Sequence, residues 1–207
     1  MNESSGIDRL SAGIRKLDGI RALAFGICLL ERAMPAFFQF QCDTGWARGG
    51  VMRAAVAQCW AVLEGHSGET ANFVSVSDCE RAMPDSEGSY ASDYTSAAID
   101  AVDIACNLLV YVGSGEIDLI TSSVTARTDT IELFIQDYES ARKANGHAEG
   151  GDSAHSILAE ELDFMRADLE FVSAIDEKAL FPEVLGRVLG LEYRCLRLKL
   201  PRCHEPN

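Results

Sequence analysis

Apolar residues recur at helical spacing along almost the whole chain. The first run steps by three, four and three residues, through Ile7, Leu10, Ile14 and Leu17. This spacing places the four side chains on one face of a short amphipathic helix. Asp18 follows this run and can cap a second helix that extends to Met34.

A proline then predicts a boundary between two helices. Proline is favoured in the first turn of a helix, so Pro35 predicts the start of a third helix that ends near Thr44. This helix carries Phe37, Phe38 and Phe40. Three phenylalanines within four residues cannot share one helix face, so we expect at least one to pack against another element or a partner.

A polar stretch interrupts the helical pattern in the middle of the chain. A fourth helix, which carries Trp60, precedes it, and residues 65–77 are polar and contain glycine, which is typical of a loop. Ser77 and Glu80 have the spacing of a capping box and predict a short helix. Pro84 is expected to end that helix.

Two long helices are predicted next. Ser92 or Asp93 can cap the first, which reaches Val112. A seven-residue repeat then predicts either one helix to about Ala144 or two helices joined near Thr128, and it consists of Ile117, Val124, Ile131 and Tyr138. The same stripe fits the contact surface of a homodimer, although packing within one chain explains it more simply.

The last part of the chain is less regular. Residues 145–151 predict a flexible connection, and a capped helix then extends to Val172. A shorter helix is expected from Pro182 to Leu191. The basic tail, residues 192–207, is compatible with a helix, a strand or a frayed end.

These patterns together predict an all-α fold. No segment shows the sustained alternation of a strand, and the sequence contains no Asn-Gly hairpin signal. A length of 207 residues is typical of a single domain. We therefore expect one bundle of about seven to nine helices that spans residues 1–207.

The charge of the protein is concentrated in its middle. The segment from Ala54 to Leu185 holds 25 acids and 6 bases, a net charge of −19, whereas the remainder carries +5 and the total is −14. Such an acidic surface repels nucleic acid and attracts a basic protein partner. The alternative is that the acids only keep the protein soluble.

Cysteine usage and hydropathy predict a reduced, cytoplasmic protein. The seven cysteines form no CxxC pair, and Cys203–His204 has no second ligand pair nearby, so a zinc site is not expected. Glu3 and Asp8 precede any apolar run, unlike a secretory signal. No uncharged run reaches the ~20 residues of a membrane helix, so we expect no membrane contact.

Known catalytic motifs are missing from the sequence. It contains no phosphate-binding loop, no dinucleotide-binding glycine motif, no nucleophile elbow and no HExxH zinc motif. Half of a di-iron motif is present, in Asp152, His155, Glu160 and Glu161, but such a site needs two Glu-x-x-His motifs. We therefore predict no catalytic residue, no metal and no cofactor.

Three ionisable residues beside apolar runs suggest an interior polar pocket. Glu31 and Arg32 follow the apolar part of the second helix, and Asp100 lies between Ile99 and Ala101. A helix-end ion pair and a buried, hydrogen-bonded aspartate explain these positions equally well. If the three side chains converged on a cavity, the protein would be an enzyme or would bind a small ligand.

Several short strings resemble a known family. The sequence is similar to the YjaG-like bacterial family, catalogued as a domain of unknown function, at Ala24 to Pro35 (AFGICLLERAMP), Cys42 to Gly45 (CDTG), Trp60, Ala82 to Pro84 (AMP) and Ala98 to Ala101 (AIDA). The similarity extends from about Asp8 to Val172. It implies an all-α fold and brings no activity, cofactor or catalytic residue.

The sequence favours a binding protein over an enzyme. Acidity, small size and missing catalytic motifs suggest an immunity-type inhibitor that neutralises a basic bacterial toxin, such as a nuclease, by occlusion. The carboxylates expected to meet that partner are Asp78, Glu80, Asp85, Glu87 and Asp93. Exposed aromatic side chains would anchor the complex. The alternative is the enzyme or ligand-binding protein with the polar pocket of Glu31, Arg32 and Asp100.

Overall fold

The computed structural model describes residues 3–66, 73–88, 90–144 and 151–190, and within them every regular element is helical. The all-α prediction is therefore confirmed. A 3-10 turn, Glu177–Ala179, precedes the last helix. The α-helices are α1 (Glu3–Ile14), α2 (Gly19–Thr44), α3 (Gly49–Leu63), α4 (Val76–Glu80), α5 (Thr95–Ser114), α6 (Asp118–Ala144), α7 (Gly151–Ala174) and α8 (Leu180–Gly190).

Helix α2 runs through the middle of the fold. The side chain of Asp18 caps it by accepting a 3.0 Å hydrogen bond from the backbone N–H of Arg21, as predicted. Its end is formed by Gly45 at φ 70°, whose N–H donates to the carbonyl oxygen of Gln41. The helix contacts α3, α5, α6, α7 and α8, so nearly its whole circumference is covered.

The predicted boundary at Pro35 is wrong, because α2 continues through it. A proline inside a helix costs roughly 3 kcal/mol, since it removes one backbone hydrogen bond and crowds the preceding turn. Both halves of α2 contribute to the same core, with Phe25 on one side of the proline and Phe37 and Phe40 on the other. Burial of these side chains outweighs the local cost.

One apolar core joins all eight helices. Every helix contributes at least one buried side chain to it, for example Leu10, Phe25, Cys59, Cys79, Leu108, Val124, Leu162 and Val184. Val124 and Ile131 of this stripe lie on the single helix α6 and are buried in this core, whereas Ile117 lies in the turn just before α6 and packs against the core. Packing within one chain therefore explains the seven-residue repeat at these positions, and no homodimer contact is needed for them.

Other helix ends differ from the predictions by a few residues. The capping box at α4 uses Ser75 and Asp78 instead of Ser77 and Glu80, and α5 begins after Tyr94. The last helix was predicted to start at Pro182, whereas α8 starts two residues earlier, at Leu180, so that Pro182 lies in its first turn. The connection at 145–150 and the tail at 191–207 lie outside the described residues.

Two helices are long and apolar enough to cross a membrane by length and composition alone. In α2 and α5, 72% and 50% of the most apolar window is buried inside the fold. Core helices of soluble proteins pass the same test. This is weak evidence for any membrane contact.

Helices α5 and α6 approach α2 closely at Gly26. A β-carbon on Gly26 would lie 2.5 Å from Cδ2 of Leu108 and 3.2 Å from Cδ1 of Ile120. A larger residue at this position requires the side chains of Leu108 and Ile120 to shift. The sequence did not identify this contact, because it depends on three separate helices.

We predict that Gly26→Ala destabilises the protein by about 1–3 kcal/mol, because overpacking outweighs the gain in helix propensity. The control is Gly113→Ala in α5, where a β-carbon meets nothing within 4 Å, and this change should stabilise by about 0.5 kcal/mol. Urea unfolding of both variants measures the difference. Equal stabilisation by both substitutions would show that the close contact is not needed.

Candidate functional site

Five charged side chains form an ion-pair network inside the helical bundle. Arg32 comes from α2, Arg127 from α6, Glu161 and Asp168 from α7, and Arg187 from α8. Nη1 of Arg32 lies 2.7 Å from Oδ2 of Asp168, and Nε of Arg187 lies 2.6 Å from Oδ1 of the same carboxylate. Oε1 of Glu161 lies 3.0 Å from Nε of Arg127 and 3.6 Å from Nε of Arg32.

The two carboxylates meet because of their spacing on α7. Glu161 and Asp168 are seven residues apart, so they project from the same face two turns from each other. The side chain of Asp168 is 0% exposed and that of Glu161 is 10% exposed. Burial raises the pKa of Glu161, but Arg127 and Arg32 outweigh this and hold it below its usual value. Glu161 therefore keeps its negative charge inside the fold.

The three residues of the predicted polar pocket have three different partners. Arg32 belongs to the network, whereas Oε1 of Glu31 accepts a 2.6 Å hydrogen bond from Nε1 of Trp60. Asp100 accepts a hydrogen bond from the hydroxyl of Thr130 on α6. None of the contacts described for these three side chains joins one of them directly to another.

Asp100 lies at the edge of the network and in an acidic neighbourhood. Burial raises its pKa to about 6, and Asp103 and Asp129 add to the increase. The hydrogen bond from Thr130 and the charge of Arg127 act in the opposite direction. Asp100 therefore changes its charge close to neutral pH.

Three members of the network, Arg127, Asp168 and Arg187, were not singled out from the sequence, and Glu161 was considered only as part of the half di-iron motif. Arg127 lies within the apolar repeat of α6, between Val124 and Ile131. Asp168 lies among the apolar residues of α7, four residues before Val172. A charged residue on an apolar helix face indicates an interior partner. That signal was present, but the partners lie on other helices.

The predicted partner-binding carboxylates lie in and after α4. Glu80, Asp85, Glu87 and Asp93 are exposed, and none of them forms an ion pair with another described residue. Asp78 differs from these four. It accepts hydrogen bonds from the backbone and hydroxyl of Ser75 and pairs with Arg81, and the bonds from Ser75 lower its pKa.

Three aromatic side chains hold this acidic segment against α2. The ring centroids of Phe40 and Tyr90 are 5.2 Å apart, and those of Trp46 and Tyr90 are 5.8 Å apart. Nε1 of Trp46 donates to the carbonyl oxygen of Ala82 at 3.0 Å, and the backbone N–H of Asp85 donates to the hydroxyl of Tyr90 at 3.2 Å. The carboxylates of this segment are thus presented on a packed support.

The described residues offer little for catalysis or metal binding. They contain no group of three His, Cys, Asp or Glu side chains that could hold a metal ion. Within the half di-iron motif, Glu161 is bound to arginines and Glu160 is exposed, while the side chains of Asp152 and His155 lie outside the described part. Burial raises the pKa of the Cys28 thiol, next to the network, to about 12.

A shallow cleft opens where the α1–α2 turn meets the end of α7. Its charged lining comprises Lys16, Asp18, Arg21 and Glu170, so both signs are present. Arg21 is already bound to Asp18 and to the carbonyl oxygen of Ile175. None of the residues singled out from the sequence for binding or catalysis lines this cleft.

We predict that Arg32→Met destabilises the protein by about 3 kcal/mol, because it removes one of two cations from the buried carboxylate of Asp168. Arg15→Met is the control, since Arg15 pairs with Asp118 on the surface and should cost less than about 1 kcal/mol. Urea unfolding measures both. Similar losses of stability for the two variants would contradict this prediction, because the buried ion pair would then matter no more than the surface pair.

The raised pKa of Asp100 predicts a pH-dependent stability. Below about pH 4 the residue is protonated in folded and unfolded chains alike, so it contributes nothing. Between about pH 4 and 6 the unfolded chain ionises first, and the folded state loses stability as pH rises.

Asp100→Asn should therefore stabilise the protein at pH 7 by about 1 kcal/mol, a value reduced for solvent screening at this partly exposed site. The gain should disappear near pH 4. Asp137→Asn, at an exposed position of α6, is the control. Urea unfolding across this pH range tests the prediction, and a gain independent of pH would contradict it.

The chain matches known proteins over most of its length. The model of the family described as protein of unknown function, DUF416, matches residues 10–181. A crystal structure of a DUF416 family protein from Shewanella baltica OS155 is 15% identical, with a TM-score of 0.61. The match covers 87% of this chain and 93% of that one, and at this identity it shows the fold alone. No curated protein matches the sequence.

These matches confirm the resemblance to a family of unknown function, over nearly the range expected from the sequence strings. The YjaG-like label rests on those strings alone. The family brings no activity with it. By its sequence, over residues 10–181, this chain belongs to the DUF416 family of proteins of unknown function.

Proposed function

We propose that this protein is a non-catalytic, acidic binding protein, and specifically an immunity-type inhibitor of a basic bacterial toxin such as a nuclease. The observation that carries the proposal is the set of exposed carboxylates without ion pairs among the described residues: Glu80, Asp85, Glu87 and Asp93. They lie on a segment held by Trp46 and Tyr90. A supported surface with unpaired charge favours binding to a partner of opposite charge.

The charge of this segment supports the same proposal. Between Ser75 and Asp93 the chain has five acids and one base, a net charge of −4. The base, Arg81, pairs with Asp78, so the other four carboxylates remain available to a partner. Lysine and arginine side chains around a nuclease active site would complement them. Occlusion of that active site would then be enough for inhibition.

The enzyme or ligand-binding alternative has less support. Glu31, Arg32 and Asp100 each have a partner within the protein, and these partners differ. The proposal includes a cytoplasmic location and a protein partner. Neither nucleic acid nor a membrane is proposed as a ligand, because the protein carries a strongly negative net charge. A homodimer is compatible with either function.

The test combines partner identification with matched charge variants. Each basic protein encoded beside this gene is mixed with the full chain, and binding is measured by calorimetry. For a binding partner, association is compared between the wild type and the variant Glu80→Gln/Asp85→Asn/Glu87→Gln/Asp93→Asn. The control carries the same charge change at exposed positions outside this segment: Glu116→Gln/Glu132→Gln/Asp137→Asn/Glu160→Gln.

We expect the first variant to associate about tenfold more slowly and with a weaker dependence on salt, because charge complementarity acts mainly on the association rate. The control should be affected much less. If no basic neighbour binds, the immunity function is rejected. If both variants bind equally slowly, only the overall charge matters and the segment is not the interface.

A further inference from the structure

One aromatic side chain is left in solvent just before the acidic segment. The chain has nine phenylalanines, and the structure describes all of them. Eight are buried or half-buried, including Phe25, Phe37 and Phe40 in the core, whereas Phe73 is 61% exposed. Phenylalanine offers a large apolar surface for burial, and the fold does not use this surface at Phe73. Phe73 lies two residues before Ser75, where the acidic segment begins.

The backbone next to Phe73 is held by hydrogen bonds. The N–H of Val74 donates to Oε1 of Gln58 on α3 at 2.9 Å, and Gln58 is itself only 7% exposed. The N–H of Ser75 donates to Oδ2 of Asp78 at 3.0 Å, as part of the capping box of α4. Val74 also packs against the apolar core. This support lowers the entropy that is lost when a partner covers Phe73.

The first unpaired carboxylate after Phe73 lies at the other end of α4. This helix has five residues and is therefore about 7 Å long, at 1.5 Å per residue. Phe73 precedes the helix and Glu80 is its last residue, and both are exposed. An interface of standard size covers about 800 Å² of each protein, which is enough to include both side chains. One partner can therefore contact the ring and the carboxylate together.

We propose that Phe73 is the apolar anchor of the partner interface, and that the partner presents an apolar pocket rimmed by lysine or arginine side chains. This inference rests on the proposed inhibitor function and specifies the chemistry of its partner. Aromatic side chains that fill desolvated pockets dominate the binding energy of many interfaces. The net charge of −4 between Ser75 and Asp93 favours basic residues around such a pocket.

The other exposed apolar side chains among the described residues lack this combination. Val110, Leu133 and Leu189 are 38%, 43% and 72% exposed, and they lie on α5, α6 and α8. None of them is aromatic, and none lies in the stretch of chain around α4 that carries the unpaired carboxylates. Scattered exposed aliphatic residues are normal on protein surfaces. Leu133 therefore serves as the matched control for Phe73.

The anchor and the carboxylates act on different rate constants. Charge steers the encounter of two proteins and changes mainly the association rate, whereas an apolar contact forms after the encounter and changes mainly the dissociation rate. The substitution Phe73→Glu separates the two effects, because it removes the ring and adds a negative charge. If only charge mattered, this variant would bind a basic partner more tightly than the wild type does.

The experiment uses the full chain and the basic protein, encoded beside this gene, that binds it in calorimetry. Association and dissociation rates are measured by surface plasmon resonance for the wild type, Phe73→Ala, Phe73→Glu and the control Leu133→Ala. The variant without the four carboxylates, described above, is measured in parallel. Phe73 and Leu133 are both exposed, so we expect their substitution to leave the fold intact, and urea unfolding of each variant checks this.

We expect Phe73→Ala and Phe73→Glu to dissociate about thirtyfold faster than the wild type, and the association rate of Phe73→Ala to change by less than about threefold. Leu133→Ala should dissociate at the wild-type rate. The two substitutions of Phe73 are independent tests, so either one decides if the other does not fold.

The anchor is rejected if Phe73→Ala dissociates no faster than Leu133→Ala, or if Phe73→Glu binds more tightly than the wild type. The inhibitor function is still supported in that case if the variant without the four carboxylates associates more slowly. If no basic neighbour binds the wild type, both proposals are rejected.

Discussion

Two carboxylates inside the protein depend on arginines from three other helices. Glu161 and Asp168 belong to α7, while their cations come from α2, α6 and α8. Burial of an unpaired carboxylate costs several kcal/mol, so α7 can occupy this position only when the other helices place their arginines beside it. The network therefore specifies how these helices are arranged, in addition to the apolar core that they share.

The carboxylates of the protein fall into two groups, those paired in the interior and those exposed around α4. The interior carboxylates of the network form ion pairs with arginines, and Glu31 is bound to Trp60. The carboxylates of the segment around α4 have a different environment, since they are exposed and its only base is bound to Asp78. Their charge is available to other molecules, which is why the proposed function is assigned to this surface.

Helices were predicted correctly from the sequence wherever the signal lies in residues that are close together in the chain. The cap at Asp18 and the helical repeat of α6 were predicted from neighbouring residues, and both are present. The predicted helix boundary at Pro35 is absent, because the burial of Phe25 and Phe37 on opposite sides of the proline outweighs the local preference of proline for a helix start. The polar residues beside apolar runs, such as Arg32 and Asp100, were recognised from the sequence. Their partners were not, because they lie on other helices.

The sequence by itself determined the helical class, the family and the strongly acidic middle, since each depends on residue types and short-range spacing. Only the tertiary structure decided that Arg32 meets Asp168 and that Asp100 meets Thr130. These partners are 136 and 30 positions apart in the chain. Contacts over such separations depend on how whole helices pack, and helix packing is a property of the complete core.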